Sequence, residues 1–288
     1  MRIGFIGAGK MGFTLGKHLK ESTDALLVGY FSQNPESARE AAKFTDTKYY
    51  EDLNELADLC DTLFITVPDG QIAVIAELLD RLGTVMEGKI LCHTSGAVSS
   101  QVFSGMHSRI YGYSIHPMCA VSSKTKSHIN FSKCFITIEG HERYLEFFVR
   151  LFRSLGHEVK IIEKEDKIRY HGAAVMASNL VIGLYHMAQE ELSKCGFTSE
   201  EADRALKPLF KGNAEKLAEY GCEEALTGPV ERCDIKTITK HMSVLEGDTL
   251  EAYRLLSRQL VDVARKKAGE GMNDKYDELD DMLKPKRL

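Results

Sequence analysis

Gly7-Ala8-Gly9-Lys10-Met11-Gly12 follows the apolar run Arg2-Ile3-Gly4-Phe5-Ile6 with no linker, and this pairing restricts the fold more than any other feature of the chain. A GxGxxG alone is a weak motif. Here a helix-like stretch continues to about Lys20, and a second apolar run, Ala25 to Tyr30, closes a βαβ unit of about thirty residues, the expected length. Gly7 permits the tight turn, Gly9 lets the backbone approach a pyrophosphate, and Gly12 lets the helix pack against the strand. Ala8, Lys10 and Met11 complete a first helical turn whose N–H groups would face the phosphates. The bland alternative is a glycine-rich turn with no ligand.

The 288 residues suggest roughly two domains. With 43% hydrophobic and 27% charged residues the chain has an ordinary globular composition, and its net charge of -5 gives no reason to expect nucleic acid or a membrane surface as partner. The seven cysteines are odd in number and scattered, without CxxC or Cys/His ligand spacing, so neither a metal site nor a disulfide framework is expected. Reduced thiols in a cytoplasm fit best. No signal peptide is expected, because the first strand begins at residue 2. The most apolar stretch, Gly172 to Tyr185, is too short for a bilayer and predicts a buried helix.

Over residues 1–163 short apolar runs alternate with helical patterns, as in a parallel Rossmann sheet with extra strands. The later runs are Thr62–Val67, Lys89–Cys92, Tyr111–Ile115, Phe135–Glu139 and Val159–Glu163. Residues 164–288 predict a helical domain. Its first helix is expected to run unbroken from Glu165 to about Lys194, apolar nearly all round in its middle, so that a second subunit is the natural cover and a homodimer the expectation. The tail from Gly269, with its acidic run and Lys284-Pro285-Lys286-Arg287, is expected to be a solvated, partly mobile end.

NAD-preferring sheets usually place a carboxylate at the end of the second strand, where it meets the adenosine ribose. Here that place is held by Phe31-Ser32-Gln33-Asn34, with no acid, so NADP is favoured over NAD; Arg39, one turn into the next helix, could reach back. Ligands of open α/β sheets bind outside the carboxyl ends of the strands. Three such ends carry polar sequence: Val67-Pro68-Asp69, His93-Thr94-Ser95-Gly96 and His116-Pro117-Met118. His116, with an ordinary pKa of ~6.5, suits proton transfer at a carbonyl or alcohol, and Ser95 suits a hydrogen bond to substrate. Lys167, His171 and Asn179 share one side of the long helix at i, i+4 and i+12. Asn179 could equally make a helix–helix hydrogen bond in a buried core.

A Rossmann domain followed by a helical domain with one long entry helix resembles 6-phosphogluconate dehydrogenase, ketopantoate reductase and pyrroline-5-carboxylate reductase. The chain is most similar to a family of Rossmann-like proteins with no assigned substrate. The resemblance rests on His93-Thr94-Ser95-Gly96, His116-Pro117-Met118, the stretch from Tyr170-His171 to Ser178-Asn179, and Ala225-Leu226-Thr227-Gly228-Pro229. It implies an α/β fold with a doubly wound Rossmann sheet and an all-α dimerisation domain of the 6-phosphogluconate dehydrogenase C-terminal type. The first two relatives carry a helix lysine followed four residues later by asparagine. That register gives His171 and Val175 here, so an imidazole replaces the ammonium, with Lys167 one turn earlier as runner-up. The His-Pro-Met strand end is similar to the loop histidine of prephenate dehydrogenase and supports His116 as acid and base. In such dimers the loop after Pro229 can approach the cleft, where Thr227 and Arg232 could hold a substrate carboxylate; a surface salt bridge of Arg232 with Glu231 or Asp234 is the alternative.

Taken together these features predict a homodimeric, NADP-dependent oxidoreductase acting on a small acidic carbonyl, imine or alcohol. His116 is the first choice for the proton, His171 the second, and Asn179 orients the substrate. Val67-Pro68 and the Ser95 turn flank the nicotinamide. A non-catalytic NADP-binding redox sensor is the rival, and a deazaflavin-dependent NADP reductase a weaker one.

Overall fold

The computed structural model describes residues 1–269 and 273–285. Two compact units divide the chain, Met1–Ser178 and Asn179–Leu288. In the first unit the strands are β1 (Arg2–Ile6), β2 (Leu26–Phe31), β3 (Lys48–Tyr50), β4 (Thr62–Ile65), β5 (Ile90–His93), β6 (Tyr111–Met118), β7 (Phe135–Gly140) and β8 (Val159–Ile161). The helices are α1 (Lys10–Ser22), α2 (Pro35–Thr45), α3 (Leu53–Leu59), α4 (Asp69–Asp80), α5 (Glu142–Ser154) and α6 (Lys167–Met176).

All eight strands form one sheet in the order β3-β2-β1-β4-β5-β6-β7-β8. The first six are parallel and doubly wound, the Rossmann arrangement. Alternation along each strand supplies both faces. Ile3 and Phe5 enter the core beneath α1 and α2, while Ile6, Leu63 and Ile65 enter the other, beneath α3 and α4. Phe5 lies between Tyr30 (5.2 Å) and Phe64 (5.4 Å), which knits the three central strands.

β7 departs from the all-parallel expectation and runs antiparallel to β6. Residues 119–134 between them contain no crossover helix, only a 3₁₀ segment (Ser127–Lys133) that packs on α1. Cys119 and Cys134 close this segment as a disulfide with Cα atoms 5.5 Å apart, contrary to the expectation of reduced thiols throughout. Spacing could not show the pair, since it is made by β6 and β7 lying side by side.

The helix expected over 165–194 is two helices. α6 ends at Met176 and a second, α7 (Asn179–Lys194), begins after Ala177-Ser178. At the break Ser178 N–H donates to Val175 O, a tightened turn, and Ser178 Oγ donates to Ala174 O at 2.6 Å. The first compact unit accordingly extends to Ser178 rather than ending at 163, because Lys167 is buried against the sheet.

The second unit continues with α8 (Ser199–Ala225), α9 (Ile235–Met242), α10 (Gly247–Ala268) and α11 (Asn273–Leu283). A capping box between Thr198 and Glu201 starts α8. Leu226, Val230, Ile238, Val261 and Ala264 make its core with Tyr276, Leu279 and Leu283. Those last three overturn the expectation of a solvated tail: at i, i+3 and i+7 they give α11 an apolar stripe, and the acidic residues Asp277 and Asp280 pair with Arg265 and Arg258. Lys286 and Arg287 lie outside the described residues. The apolar middle of the expected long helix is exposed in the single chain, with Leu180, Ile182 and Leu184 at 58%, 69% and 46%.

Candidate functional site

β1 delivers the chain to Gly7, which takes φ +104° and turns it sharply. A side chain there would meet Thr66 O at 2.8 Å, and one at Gly12 would meet Gly7 O at 2.5 Å, so α1 is packed as close to the sheet as its backbone allows. Gly9 differs: a Cβ would find only Thr66 O, at 4.0 Å. This open side adjoins the start of α1, which no side chain caps. The first N–H groups of the helix and the positive end of its dipole therefore lie beside the cleft that Gly7, Ala8 and Gly9 line, with Lys10 and Met11 next along the helix, a setting that fits a phosphate.

From this cradle a cleft of about 520 Å³ leads past Ser32, Gln33 and Asn34 on one side and Val67 and Pro68 on the other. Among the described residues no carboxylate lines it. Asn34 accepts the Glu36 N–H and Pro35 opens α2, as the sequence implied. Arg39 does not line this cleft; it is paired with Glu36 (2.7 Å), Glu51 (3.1 Å) and the ring of Tyr49, in a neighbouring hollow that Ser32 and Gln33 also line.

A second cluster lies along the same sheet edge. Strand register runs Ile6, Ile65, His93, Ser114 across β1, β4, β5 and β6, so the cradle after Ile6 and the polar groups around Ser114 are three strand spacings apart, roughly 14 Å. Lys167, in the first turn of α6, is 1% exposed. Its ammonium donates to Ser114 Oγ at 2.5 Å, and Ser114 Oγ donates to Ser95 O at 3.1 Å. Burial draws the Lys167 pKa down to about 8, against the distant pull of Glu139 and Asp69. Glu139 itself is bound by Ser99 and Ser100.

His116 lies inside β6 opposite Thr137, not in a loop after it. Its Nδ1 is 2.8 Å from Tyr170 Oη, and its ring centre is 6.0 Å from that of His171. Burial, then the charges of Lys167 and His171, brings its pKa down to about 4. The ordinary value of ~6.5 assumed from sequence therefore does not apply. His93 is fully buried and its Nδ1 accepts the Ser95 N–H, while burial lowers its pKa to about 3. Ser95 Oγ accepts the N–H groups of Ala97 and Val98, so the hydroxyl braces the turn. His116 and His171 converge over Gly96, where a Cβ would meet His171 Nδ1 at 2.4 Å and His116 Nε2 at 3.0 Å.

Lys167, Tyr170 and His171 thus come together with Ser95 and His116. Asn179, Thr227 and Arg232 belong to the second unit. Arg232 is exposed; Glu231 pairs with Lys267 at 2.7 Å and Asp234 caps α9 through Thr237, so neither binds Arg232 among the described residues. Ser114 and Tyr170 were not singled out from sequence, although spacing signals both. Ser114 is two residues from His116 on one strand face, and Tyr170 completes the i, i+3, i+4 set with Lys167 and His171. Among the described residues no group of three or more His, Cys, Asp or Glu side chains is placed to hold a metal ion. No helix among them is long and apolar enough to cross a membrane.

A doubly wound sheet with an open phosphate cradle, followed by an all-helical unit, defines a Rossmann-type protein of two domains. Residues 1–117 match the Rossmann-like domain and residues 134–260 match the family described as domain of unknown function DUF2520. TM1727 from Thermotoga maritima is similar in structure, with a TM-score of 0.75 and 25% identity over 93% of this chain and 100% of that one. BF3122 from Bacteroides fragilis, provisionally assigned as an NADP oxidoreductase, gives 0.66 and 28% over 90% and 97%. A Plasmodium falciparum pyrroline carboxylate reductase with NADP bound shares the fold at 0.55 and 13% identity, over 99% and 98%. Comparison with curated proteins finds no sequence match.

Proposed function

We propose that this chain is an NADP-dependent oxidoreductase for a small acidic carbonyl, imine or alcohol metabolite, with Lys167 as the group that moves the proton. The observation that carries this reading is a buried ammonium, 1% exposed, on the same sheet edge as an uncapped, glycine-lined helix start. Gly7 to Gly12 would hold the pyrophosphate, Ser32, Gln33 and Asn34 the adenosine ribose, and Val67 and Pro68 the opposite wall of the cleft. When bound, the nicotinamide supplies or accepts the hydride; the protein's share is the proton and the positioning.

Lys167 suits that share better than His116. A group with a pKa of about 8 is charged at neutral pH yet gives its proton without a large penalty. His116, brought down to about 4, is uncharged there and serves as a hydrogen-bonding partner braced by Tyr170. Ser114 holds the ammonium and is itself held by the carbonyl of Ser95. A buried cation that no carboxylate contacts among the described residues favours an anionic substrate, which supports the acidic class. The exposed Leu180, Ile182 and Leu184 support a homodimer formed through the helical unit.

A redox sensor would have no use for a buried ammonium, whose desolvation is costly. The test is to follow NADPH absorbance while presenting keto acids and cyclic imines to the full chain. Turnover that disappears in Lys167→Met with NADPH binding retained supports the enzyme reading. Turnover unchanged by that substitution removes Lys167 from the chemistry.

A further inference from the structure

Lys124 lies in the segment between β6 and β7, far in sequence from the glycine turn, yet it lines the dinucleotide cleft together with Ser32, Asn34 and Ser37. Its ammonium sits 5.0 Å above the ring of Phe13, in the first two turns of α1, and is 3.0 Å from Glu40 of α2. The lysine therefore bridges the first turns of α1 and the middle of α2, the helices on either side of β2 in sequence, and reaches the cleft near the end of β2, where the adenosine ribose of a dinucleotide would lie. Arg39, the cation nearest in sequence to that point, does not line this cleft but a neighbouring hollow, beside Glu36 and Glu51.

We infer that Lys124 is the residue that selects NADP over NAD, by binding the 2′-phosphate in exchange for Glu40. This rests on the dinucleotide reading above and adds to it a discriminating residue from outside the glycine motif. The exchange is physically easy. The Lys124–Glu40 pair is half exposed, at 40% and 61%, and pairs of that kind contribute little to stability. A phosphate dianion carries more charge and more acceptor oxygens than the carboxylate it displaces. Ser32, Asn34 and Ser37 line the same end of the cleft with groups able to donate the remaining hydrogen bonds.

The position of Lys124 is not left to a free loop. Cys119 and Cys134 close the segment, its 3₁₀ portion packs on α1, and buried Phe131 stacks edge-on against His18 of that helix. The lysine is held on the same helix whose N-terminus forms the phosphate cradle.

The experiment is calorimetric titration of the unmodified chain, Lys124→Ala and Glu40→Gln with NADPH and, separately, NADH. Lys124→Ala is expected to weaken NADPH about tenfold or more, the scale of a charged hydrogen bond, and to leave NADH within about twofold. Glu40→Gln removes the competing carboxylate and is expected to tighten NADPH alone. Equal loss of both nucleotides in Lys124→Ala, or no loss of either, overturns the assignment of Lys124 while leaving the cofactor reading intact. Failure of the unmodified chain to bind either nucleotide overturns the cofactor reading and this inference with it.

Discussion

Lys167 Nζ and Ser114 Oγ meet at 2.5 Å in a part of the molecule from which water is almost wholly excluded. One residue comes from the first turn of a helix and the other from the middle of a strand, 53 positions apart. Ser114 passes the contact on to the carbonyl of Ser95. The pair therefore couples α6, β6 and the turn after β5, and it fixes a cation at the sheet edge that also carries the glycine cradle.

A lysine used as a proton donor imposes a pH dependence whose direction follows from its pKa. With that value drawn down to about 8 by burial, the protonated form needed for reduction is lost as pH rises through about 8. Reductive turnover should fall on that alkaline side, and oxidation of the product should rise over the same range. Lys167→Met should cost about 10²–10⁴ in turnover while NADPH affinity changes little. An alkaline limb that persists in Lys167→Met would assign the titration to another group.

Gly96 tests the convergence of the two imidazoles. A methyl group there would press on both His116 and His171. Gly96→Ala should lower turnover at least tenfold with nucleotide binding retained, because a misplacement of about 1 Å at reacting groups costs as much as a hundredfold. Unchanged turnover would show that the positions of these rings do not matter to the reaction.

Much of this site was legible in the sequence. Gly7 and Gly12 could be read because each answers a local steric demand that a short motif encodes. The i, i+4 pairing of Lys167 and His171 could be read from helical period alone. The place of His116 within a strand could not, because a strand that continues through Pro117 to Met118 looks the same as a strand that stops at Ile115. Nor could its lowered pKa, which depends on burial and on Lys167. The helix break at Ala177-Ser178 and the apolar stripe of α11 depend on local turn geometry and tertiary packing, against which composition pointed the other way. Cys119 and Cys134 meet only because β6 and β7 are neighbours.

Acid should destabilise the fold through its buried imidazoles. His18, His93 and His116 are brought by burial to about 4, 3 and 4, below the ~6.5 of an unfolded chain. Below pH ~6.5 the unfolded state therefore binds protons that the folded state refuses, so stability is complete above that pH and is lost as pH falls toward the folded values. The melting temperature should drop between roughly pH 6.5 and pH 4, and His116→Gln should make the drop shallower. A melting temperature that is flat or rises on acidification contradicts this.

The Cys119–Cys134 bond predicts that the denatured, unreduced protein presents five thiols, those of Cys60, Cys92, Cys195, Cys222 and Cys233. Closing a loop of separation 15 should stabilise the fold by about 3 kcal/mol, so Cys119→Ser should lower the urea midpoint by a corresponding amount. Seven titratable thiols would exclude the bond.

A dinucleotide lying against Gly9 would be displaced by Gly9→Ala with little disturbance of the fold, since the added methyl meets nothing closer than Thr66 O at 4.0 Å. NADPH should bind the unmodified chain at one molecule per subunit, and Gly9→Ala should weaken it at least tenfold with an unchanged melting temperature. Equal affinity in the two proteins, or no binding by either, would mean that the glycine turn is only a turn.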